Sequence, residues 1–194
     1  LDKLNFNSYK KNNNRYYLLK NDYRNGIHIY NGNVLLSKNS IIYPNTTFIG
    51  EIFIGNNCRI GPNTVILGPT ILEENIIIGP HSEVRRSIIM KNTKINHVSY
   101  IGHSILGRNV NIAANVITAV RNLKRKTVHL LIDNKLFDTK EELFGVIIAD
   151  NVEFGVNVTI MPGRMILIPC SIKANSIIKN NINNIHSQYI IQGV

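Results

Sequence analysis

Residues 42–90 read IYPNTTFIGEIFIGNNCRIGPNTVILGPTILEENIIIGPHSEVRRSIIM, and every sixth side chain in this stretch is large and apolar. The series consists of Ile42, Phe48, Ile54, Ile60, Ile66, Leu72, Ile78, Val84 and Met90. A second series, of small side chains, follows four residues behind at Thr46, Cys58, Thr64 and Ser82. Neither an α-helix nor an ordinary strand has a period of six. A fixed short period over many units indicates a solenoid, and hexapeptide repeats are typical of a parallel β-helix.

In such a coil each hexad forms one short strand and one corner of a triangle, so about three hexads make a turn. Adjacent turns stack at the usual strand spacing of roughly 4.8 Å, and the large aliphatic side chains fill the interior. Tight corners require glycine, proline and asparagine, which adopt positive or fixed φ angles. The sequence supplies them at Gly55-Asn56-Asn57, Gly61-Pro62-Asn63 and Gly79-Pro80-His81.

The hexad series then slips twice. Counted from Met90, Ile95 and Ile101 are one residue out of phase, whereas Leu106, Ile112 and Thr118 are two residues out. We expect these slips to bracket His97 to Asn111. A change of register bulges a wall and re-aims side chains, as happens beside many active sites.

Hexads disappear after Thr118 and return, after a whole number of hexads, at Ile148, Phe154, Ile160, Ile166, Ile172 and Ile178. We therefore expect residues 119–147, here called the excursion, to leave a coil that resumes in phase. Its start is basic, from Arg121 to Lys126. The pattern then predicts a hairpin of residues 127–132 against 136–139, turning at Asp133-Asn134. Long excursions in repeat proteins are usually functional.

The expected organisation has five parts. Residues 1–35 lack the hexads and form an N-terminal arm or cap, with a candidate strand at residues 26–30, because solenoid ends need covering. Residues 36–118 form the first part of the coil, residues 119–147 the excursion, and residues 148–180 the rest of the coil. Residues 181–194 form a C-terminal tail with a candidate strand at residues 189–191.

The net charge of +10 favours an anionic partner. Nucleic acid and a phosphorylated small molecule with a phosphorylated cofactor both meet that requirement. The chain has no helix-turn-helix pattern, zinc finger or RNA-binding aromatic pair, so we expect no nucleic acid. No apolar run approaches a membrane span and no signal peptide opens the chain, which predicts a cytoplasmic protein without membrane contact.

Cysteine and histidine give no sign of a disulfide or a metal. Cys58 and Cys170 both fall at the small inward position of a hexad, so we predict two core thiols and a reducing compartment. The spacing of His81, His97 and His103 matches no standard metal site. We expect no metal.

The ordered run Glu83-Val84-Arg85, then His97-Val98-Ser99-Tyr100-Ile101-Gly102, then Asn109-Val110-Asn111, is more specific than the hexads. It resembles the C-terminal acetyltransferase domain of the bifunctional glucosamine-1-phosphate acetyltransferase/N-acetylglucosamine-1-phosphate uridylyltransferase family. The segments at residues 135–139 and 144–147 are most similar to its archaeal branch. The resemblance implies an all-β, left-handed parallel β-helix with an inserted excursion. It also implies a homotrimer with active sites between subunits, and transfer of acetyl from acetyl-CoA to an amino-sugar 1-phosphate on the way to UDP-N-acetylhexosamine.

The candidate site residues follow from chemistry and from the resemblance. An ammonium nucleophile must lose a proton before it attacks a thioester, and an imidazole near neutral pKa suits that task, so His97 is the candidate base. The resemblance implies that Glu83 orients the imidazole. It further implies that Tyr100 and Asn111 contact the sugar phosphate and the sugar, and that Arg85 and Lys126 bind phosphate.

Several positions depart from the family. No arginine stands near Leu67, Val120 replaces an expected asparagine, residues 113–115 read Ala-Ala-Asn, and His129 replaces a basic residue. Two alternatives therefore stay open. One is an acetyltransferase acting on another, nucleotide-linked amino sugar. The other is a catalytically weak trimeric β-helix module related to the sugar-1-phosphate nucleotidylyltransferases. No glycine-rich nucleotide loop precedes the coil, so nucleotidyl transfer by this chain alone is not expected.

Overall fold

The computed structural model of the protein describes residues 16–184 and 186–191, and this part of the chain is built from short strands and turns. In chain order the strands are β1 Tyr16–Leu18, β2 His28–Tyr30, β3 Val34–Ser37, β4 Ile41–Ile42, β5 Thr47–Ile49, β6 Ile52–Ile54, β7 Arg59–Ile60, β8 Val65–Leu67, β9 Thr70–Leu72, β10 Ile77–Ile78, β11 Glu83–Arg85, β12 Ile88–Ile89, β13 Lys94–Ile95, β14 Tyr100–Gly102, β15 Ile105–Leu106, β16 Asn111–Ile112, β17 Ile117–Thr118, β18 His129–Ile132, β19 Lys135–Asp138, β20 Ile147–Ile148, β21 Val152–Phe154, β22 Thr159–Ile160, β23 Met165–Ile166, β24 Cys170–Ile172 and β25 Ile177–Ile178. Within these described ranges, no helix is long and apolar enough to cross a membrane.

The strands stack into the three walls of a triangular coil. The first wall consists of β2, β5, β8, β11, β14, β17, β22 and β25. The second wall consists of β1, β3, β6, β9, β12, β15, β20 and β23, and the third of β4, β7, β10, β13, β16, β21 and β24. Neighbouring strands within a wall are parallel, apart from β1, which runs antiparallel to β3. The predicted all-β, left-handed parallel β-helix is confirmed, with about 8 turns.

The interior is filled by one large side chain from each strand and by small side chains near the corners. Phe48, Ile66, Val84 and Ile101 stack through the first wall and are fully buried. The small residues Thr46, Thr64 and Ser82 are buried too, and their position allows hydrogen bonds to the corners. The Thr46 hydroxyl, for example, donates to the Tyr43 carbonyl at 2.7 Å. Both inward series predicted from the sequence therefore form the core, except at Met90, as described below.

The corners after the second and third walls depend on asparagine. Asn57, Asn75, Asn92, Asn109 and Asn151 occupy the same corner on successive turns, each with φ between 55° and 63°. Asparagine adopts this left-handed conformation more readily than most residues. Their amides also form a ladder, in which each Nδ2 donates to the Oδ1 of the next turn at 2.9 to 3.3 Å. The ladder ties the turns together along one edge of the coil.

All changes of turn length occur at the first corner, between the first and second walls. Here the segment from inward Val84 to inward Ile89 is one residue shorter than a hexad, and so is that from Ile101 to Leu106. Cross-turn partners accordingly change from 18 to 17 residues apart.

Two register predictions were therefore wrong. Ile89, which is fully buried and pairs with Leu72, takes the inward position assigned to Met90. The slips consequently do not bracket His97 to Asn111. The first slip precedes Ile89, and the second lies between Ile101 and Leu106. Ile88, Ile89 and Met90 are all large and apolar, so hydrophobicity alone could not distinguish which of them points inward.

The excursion leaves the coil at the same corner. It departs after β17 and returns at β20, which pairs directly with β15, so the coil resumes in phase as predicted. Inside it, β18 and β19 form the predicted antiparallel hairpin. The turn residues Asp133 and Asn134 have φ of 48° and 60°, as two-residue hairpin turns require.

The ends of the coil differ from the predicted boundaries. Strand β2 is paired in parallel with β5, and β3 with β6, so the coil includes residues that we assigned to the cap. The boundary predicted at residue 35 falls inside β3. The basic residues Lys10, Lys11 and Arg15 lie outside the described residues. In the tail, the predicted strand at residues 189–191 is a single antiparallel bridge between Ile190 and Ile172.

The corrected register predicts unequal costs for two adjacent substitutions. Ile89→Ala should lower the free energy of unfolding by about 2–5 kcal/mol, because it empties a fully buried position. Met90→Ala should cost less than about 1 kcal/mol, because its side chain is only partly buried. Urea unfolding of the two variants measures the difference. A larger loss for Met90→Ala would show that the second wall has the other register.

Candidate active site

Three of the predicted site residues lie together on the outer face of the first wall. Side chains alternate across a strand, so Val84 points into the core while Glu83 and Arg85 point outward. On the next turn, Tyr100 stands beside Glu83 and Gly102 beside Arg85. The coil therefore brings Tyr100 into one surface cluster with Glu83 and Arg85, although it lies one full turn further along the sequence.

A glycine shapes this cluster. A Cβ atom at Gly102 would lie 2.7 Å from the Tyr100 hydroxyl and 2.9 Å from Val120 Cγ1, so a larger residue would require these side chains to shift. Because Gly102 has no side chain, the Tyr100 hydroxyl lies over Gly102, which stands beside Arg85 of the adjacent turn. Val120, where the resemblance implies asparagine, closes the same space with an apolar surface.

Arg85 has spare hydrogen-bonding capacity. Its Nη1 lies 3.8 Å from Glu83 Oε1, and both side chains are a little over one-third exposed. An ion pair at this distance and exposure contributes little to stability. The Nε atom of Arg85 is buried and has no hydrogen-bond partner among the residues that the structure describes. The guanidinium therefore retains donors for an anionic ligand.

His97 lies at the third corner, just before β14, and is exposed. Its carbonyl oxygen accepts hydrogen bonds from Asn115 N–H and Ser99 Oγ–H, both at 3.0 Å, so the backbone is held firmly. The next residue, Val98, has a φ of 49°, a strained value for a β-branched residue. In the described part of this single chain, no hydrogen bond or ion pair joins His97 to Glu83. The orienting role of Glu83 stays a prediction.

Asn111 and Lys126 approach from other directions. Asn111, on β16 of the third wall, accepts a hydrogen bond from Asn96 Nδ2 at 3.1 Å, and Asn96 directly precedes His97. Asn111 is thus connected to the corner that carries His97, but from the third wall and not from the first. Lys126 is exposed in the excursion, where Asn122 binds both its N–H and its carbonyl oxygen. Within the ranges described, Lys126 forms no ion pair with the first-wall cluster.

Sequence reasoning missed two residues that shape the site, Gly102 and Asn96. Neither carries chemistry of its own, but each lies one turn away from a predicted residue, Arg85 or Asn111. Counting whole turns along the coil is the signal that would have found them.

Neither a metal nor a cysteine nucleophile is indicated at this site. In residues 16–184 and 186–191, no group of three or more His, Cys, Asp or Glu residues could hold a metal ion. Cys58 is fully buried, and its thiol donates to the Glu73 carbonyl at 3.0 Å. Burial raises the pKa of Cys58 to about 11, which leaves it protonated near neutral pH. Cys170 is only half-buried, so the prediction of two core thiols holds for Cys58 alone.

Comparison with known proteins identifies the family. Residues 30–135 match the family model described as the GMPPB C-terminal domain. The chain belongs to this family. It is also 45% identical over 103 residues to the bifunctional protein GlmU of Methanocaldococcus jannaschii, covering 53% of this chain and 25% of that protein. The match to GlmU of Methanococcus maripaludis is 44% identical over 151 residues, covering 78% of this chain and 36% of the relative. The predicted resemblance, including its archaeal branch, is confirmed.

This member of the GMPPB C-terminal domain family spans only about a quarter to a third of the length of these curated relatives. Among solved structures, the polysialic acid O-acetyltransferase OatWY matches with a TM-score of 0.51 at 18% identity, covering 84% of this chain and 92% of that one. At this identity the likeness concerns the fold.

The two thiols should differ sharply in reactivity. At pH 7.5 we expect iodoacetamide to modify the half-buried Cys170 well before Cys58, because burial both protonates and covers the Cys58 thiol. Mass spectrometry of timed samples measures both rates. Cys170→Ser should remove the fast phase, whereas Cys58→Ser should keep it. Equal alkylation rates of the two thiols in the folded protein would contradict the burial of Cys58 in the core.

Proposed function

We propose that this protein transfers acetyl from acetyl-CoA to the amine of an amino-sugar 1-phosphate of the glucosamine-1-phosphate type, a step toward UDP-N-acetylhexosamine. The observation that carries the proposal is the cluster of Glu83, Arg85 and Tyr100 on adjacent turns, one corner away from His97. Similarity to the GlmU proteins supports a sugar acetyltransferase.

The residues divide the chemistry between them. His97 accepts a proton from the substrate ammonium, and the freed amine attacks the thioester carbonyl carbon of acetyl-CoA. The attacking nitrogen loses a second proton as the tetrahedral intermediate collapses and the carbon–sulfur bond breaks. The CoA thiolate takes up one of the two protons and the other passes to water, so the imidazole returns to its neutral form and one proton is released overall. The exposed end of the Arg85 guanidinium, whose Nη1 forms only a long ion pair with Glu83, binds the sugar phosphate. The Tyr100 hydroxyl, leaning over Gly102, lies where it can share that phosphate.

A second copy of the chain is needed to complete this site. The first wall is an open outer face, and His97 is exposed at a corner, so a single chain cannot exclude water from the reaction. Lys126 and the apolar hairpin tip, with Leu136 67% and Phe137 49% exposed, are available to a neighbour. We propose a homotrimer in which the excursion of one subunit reaches the first wall of the next.

A second candidate substrate is a nucleotide-linked amino sugar. Arg85 belongs to an outward column that continues through Leu67 and Ile49 to Tyr30. Leu67 stands where the family has a phosphate-binding arginine, so this surface is apolar. Tyr30, 52% exposed and stacked on His28 at 6.1 Å, lies three turns or roughly 14 Å from Arg85. An apolar, aromatic surface at that distance from Arg85 favours a substrate that carries a ring, such as a nucleotide base, beyond its phosphate.

The central test is acetyl-CoA turnover against a panel of amino-sugar 1-phosphates and their UDP- and dTDP-linked counterparts. His97→Ala should lower kcat by roughly 10²–10⁴-fold, since the general base is lost. His186→Ala, a change at an exposed histidine in the tail, should leave turnover unchanged. Activity confined to the nucleotide-linked amines would select the second candidate. No turnover of any amine would leave only the β-helix module.

Mixing two inactive variants tests whether the site is shared. If His97 and Lys126 of one site come from different subunits, His97→Ala and Lys126→Ala should complement each other when co-refolded. Statistical mixing would restore roughly a quarter of the sites. Each variant alone should stay inactive, or nearly so for Lys126→Ala. Activity of the mixture no higher than the average of the two variants would place both residues in one chain's site, or Lys126 outside it.

A further inference from the structure

A separate cavity of about 290 Å³ opens at the first corner, on the side of the second wall. Its apolar lining includes Ile88, Ile105 and Phe144, and its polar lining includes Arg86, His103 and Glu141. None of the proposed catalytic-site residues Glu83, His97, Tyr100, Asn111 and Lys126 lines it. The cavity lies where both shortened turns meet the returning end of the excursion.

Arg86 and His103 occupy equivalent positions on consecutive turns. Both have left-handed backbone angles, with φ of 46° and 48°, which are unusual for these residue types. Arg86 N–H donates to the Leu67 carbonyl at 2.9 Å, and His103 N–H donates to the Arg85 carbonyl at 2.8 Å. The His103 carbonyl in turn accepts from Gly145 N–H at 2.9 Å. The backbone of both residues is therefore fixed, and their side chains share one side of the corner.

The polar end of the cavity is incompletely satisfied. His103 Nε2 is buried and lacks a hydrogen-bond partner among the described residues. Burial lowers the pKa of His103, and the positive charges of Arg85 and Arg86 lower it further. Glu141 faces the cavity from the excursion, but in the part of the chain that the structure describes it forms no ion pair with Arg86. An unpaired ring nitrogen thus lies near the guanidinium of Arg86, which forms no ion pair with a carboxylate of the described residues.

We propose that this corner cavity is a second anion site, which binds the phosphate group of a small phosphate ester through Arg86 and His103. The two residues supply hydrogen-bond donors and positive charge to the phosphate oxygens. Ile88, Ile105 and Phe144 contact the apolar part of the ester. The side chains that line this cavity differ from those of the proposed acetyl-transfer site, but Arg85 of that site lies close enough to His103 to affect its charge.

The proposal makes His103 a direct reporter of binding. A bound phosphate places negative charge beside the imidazole, favours its protonated form and should raise the pKa of His103. Glu141 weakens phosphate binding at this cavity, because its carboxylate repels the negatively charged phosphate. Arg85, Arg86 and Glu141 are the charged groups that face His103 or its cavity, so their variants are the informative ones.

The test is a titration of the full chain with inorganic phosphate and with phenyl phosphate, followed through the His103 ring signals in ¹H–¹³C NMR. His103→Asn assigns those signals, since asparagine tolerates the left-handed backbone at this corner. We expect saturable shifts, with phenyl phosphate binding more tightly than inorganic phosphate. Arg86→Asn should weaken binding roughly tenfold or more, because one charge-assisted contact is lost. Glu141→Gln should strengthen it severalfold.

Control variants separate this site from the proposed catalytic one. Arg108→Asn removes a charge at the second corner, and His97→Ala and Lys126→Ala alter the proposed catalytic site. All three should leave the phosphate titration of His103 unchanged. Shifts that disappear in Arg85→Gln, His97→Ala or Lys126→Ala but survive in Arg86→Asn would overturn the proposal and place the phosphate in the catalytic site. So would the absence of any His103 shift with both probes.

Discussion

The structure depends on the closure of each triangular turn at corners with left-handed backbone angles. At the second and third corners most turns place asparagine in this conformation, and the hexad spacing never changes there. Turn length varies only at the first corner, which carries two shortened turns and the excursion. Two edges of the coil are therefore regular, and all changes in turn length lie along the edge formed by the first corner. Stacking of the interior side chains continues through all of these changes, since each one leaves the inward positions aligned.

The difference between the regular corners and the irregular first corner explains where the polar side chains described above lie. Outward side chains on one wall form columns spaced by the strand separation, so residues one turn apart in the coil become neighbours. Glu83, Tyr100, Arg85 and Gly102 form such a group next to the irregular corner. The shortened turns place Arg86 and His103 around that corner, on the side of the second wall. Two polar surfaces, each with one arginine, thus lie on either side of the first corner.

The sequence predicted the fold because hexads report directly on the interior. Phe48 or Ile66 can be buried at that spacing only in a coil of short strands, and the excursion was recognisable because the hexads resume in phase. Fine register was harder to predict where apolar residues adjoin, as at Ile88, Ile89 and Met90. Handedness came from the family resemblance, since hexads alone do not distinguish the two hands. The start of the coil was misplaced because β2 and β3 lack the hexad pattern.

The site was predictable in part. Glu83, Arg85 and Tyr100 share a face because the turn length brings them together, and that length was readable from the hexads. Gly102 was invisible as a functional residue, since its contribution is the space that it leaves for the Tyr100 hydroxyl. His97, Asn111 and Lys126 do not meet the cluster within one chain. In the trimer that we propose they would converge between subunits, and one sequence carries no direct signal for the surface that two copies share.

The most direct test of the central claim is a crystal structure of the protein grown with CoA and glucosamine 1-phosphate. The account predicts a trimer with the sugar phosphate between two subunits, its phosphate on Arg85 and its amine within roughly 3 Å of the His97 ring. An assembly in which His97 faces bulk solvent, with the sugar phosphate bound elsewhere or not at all, would contradict it.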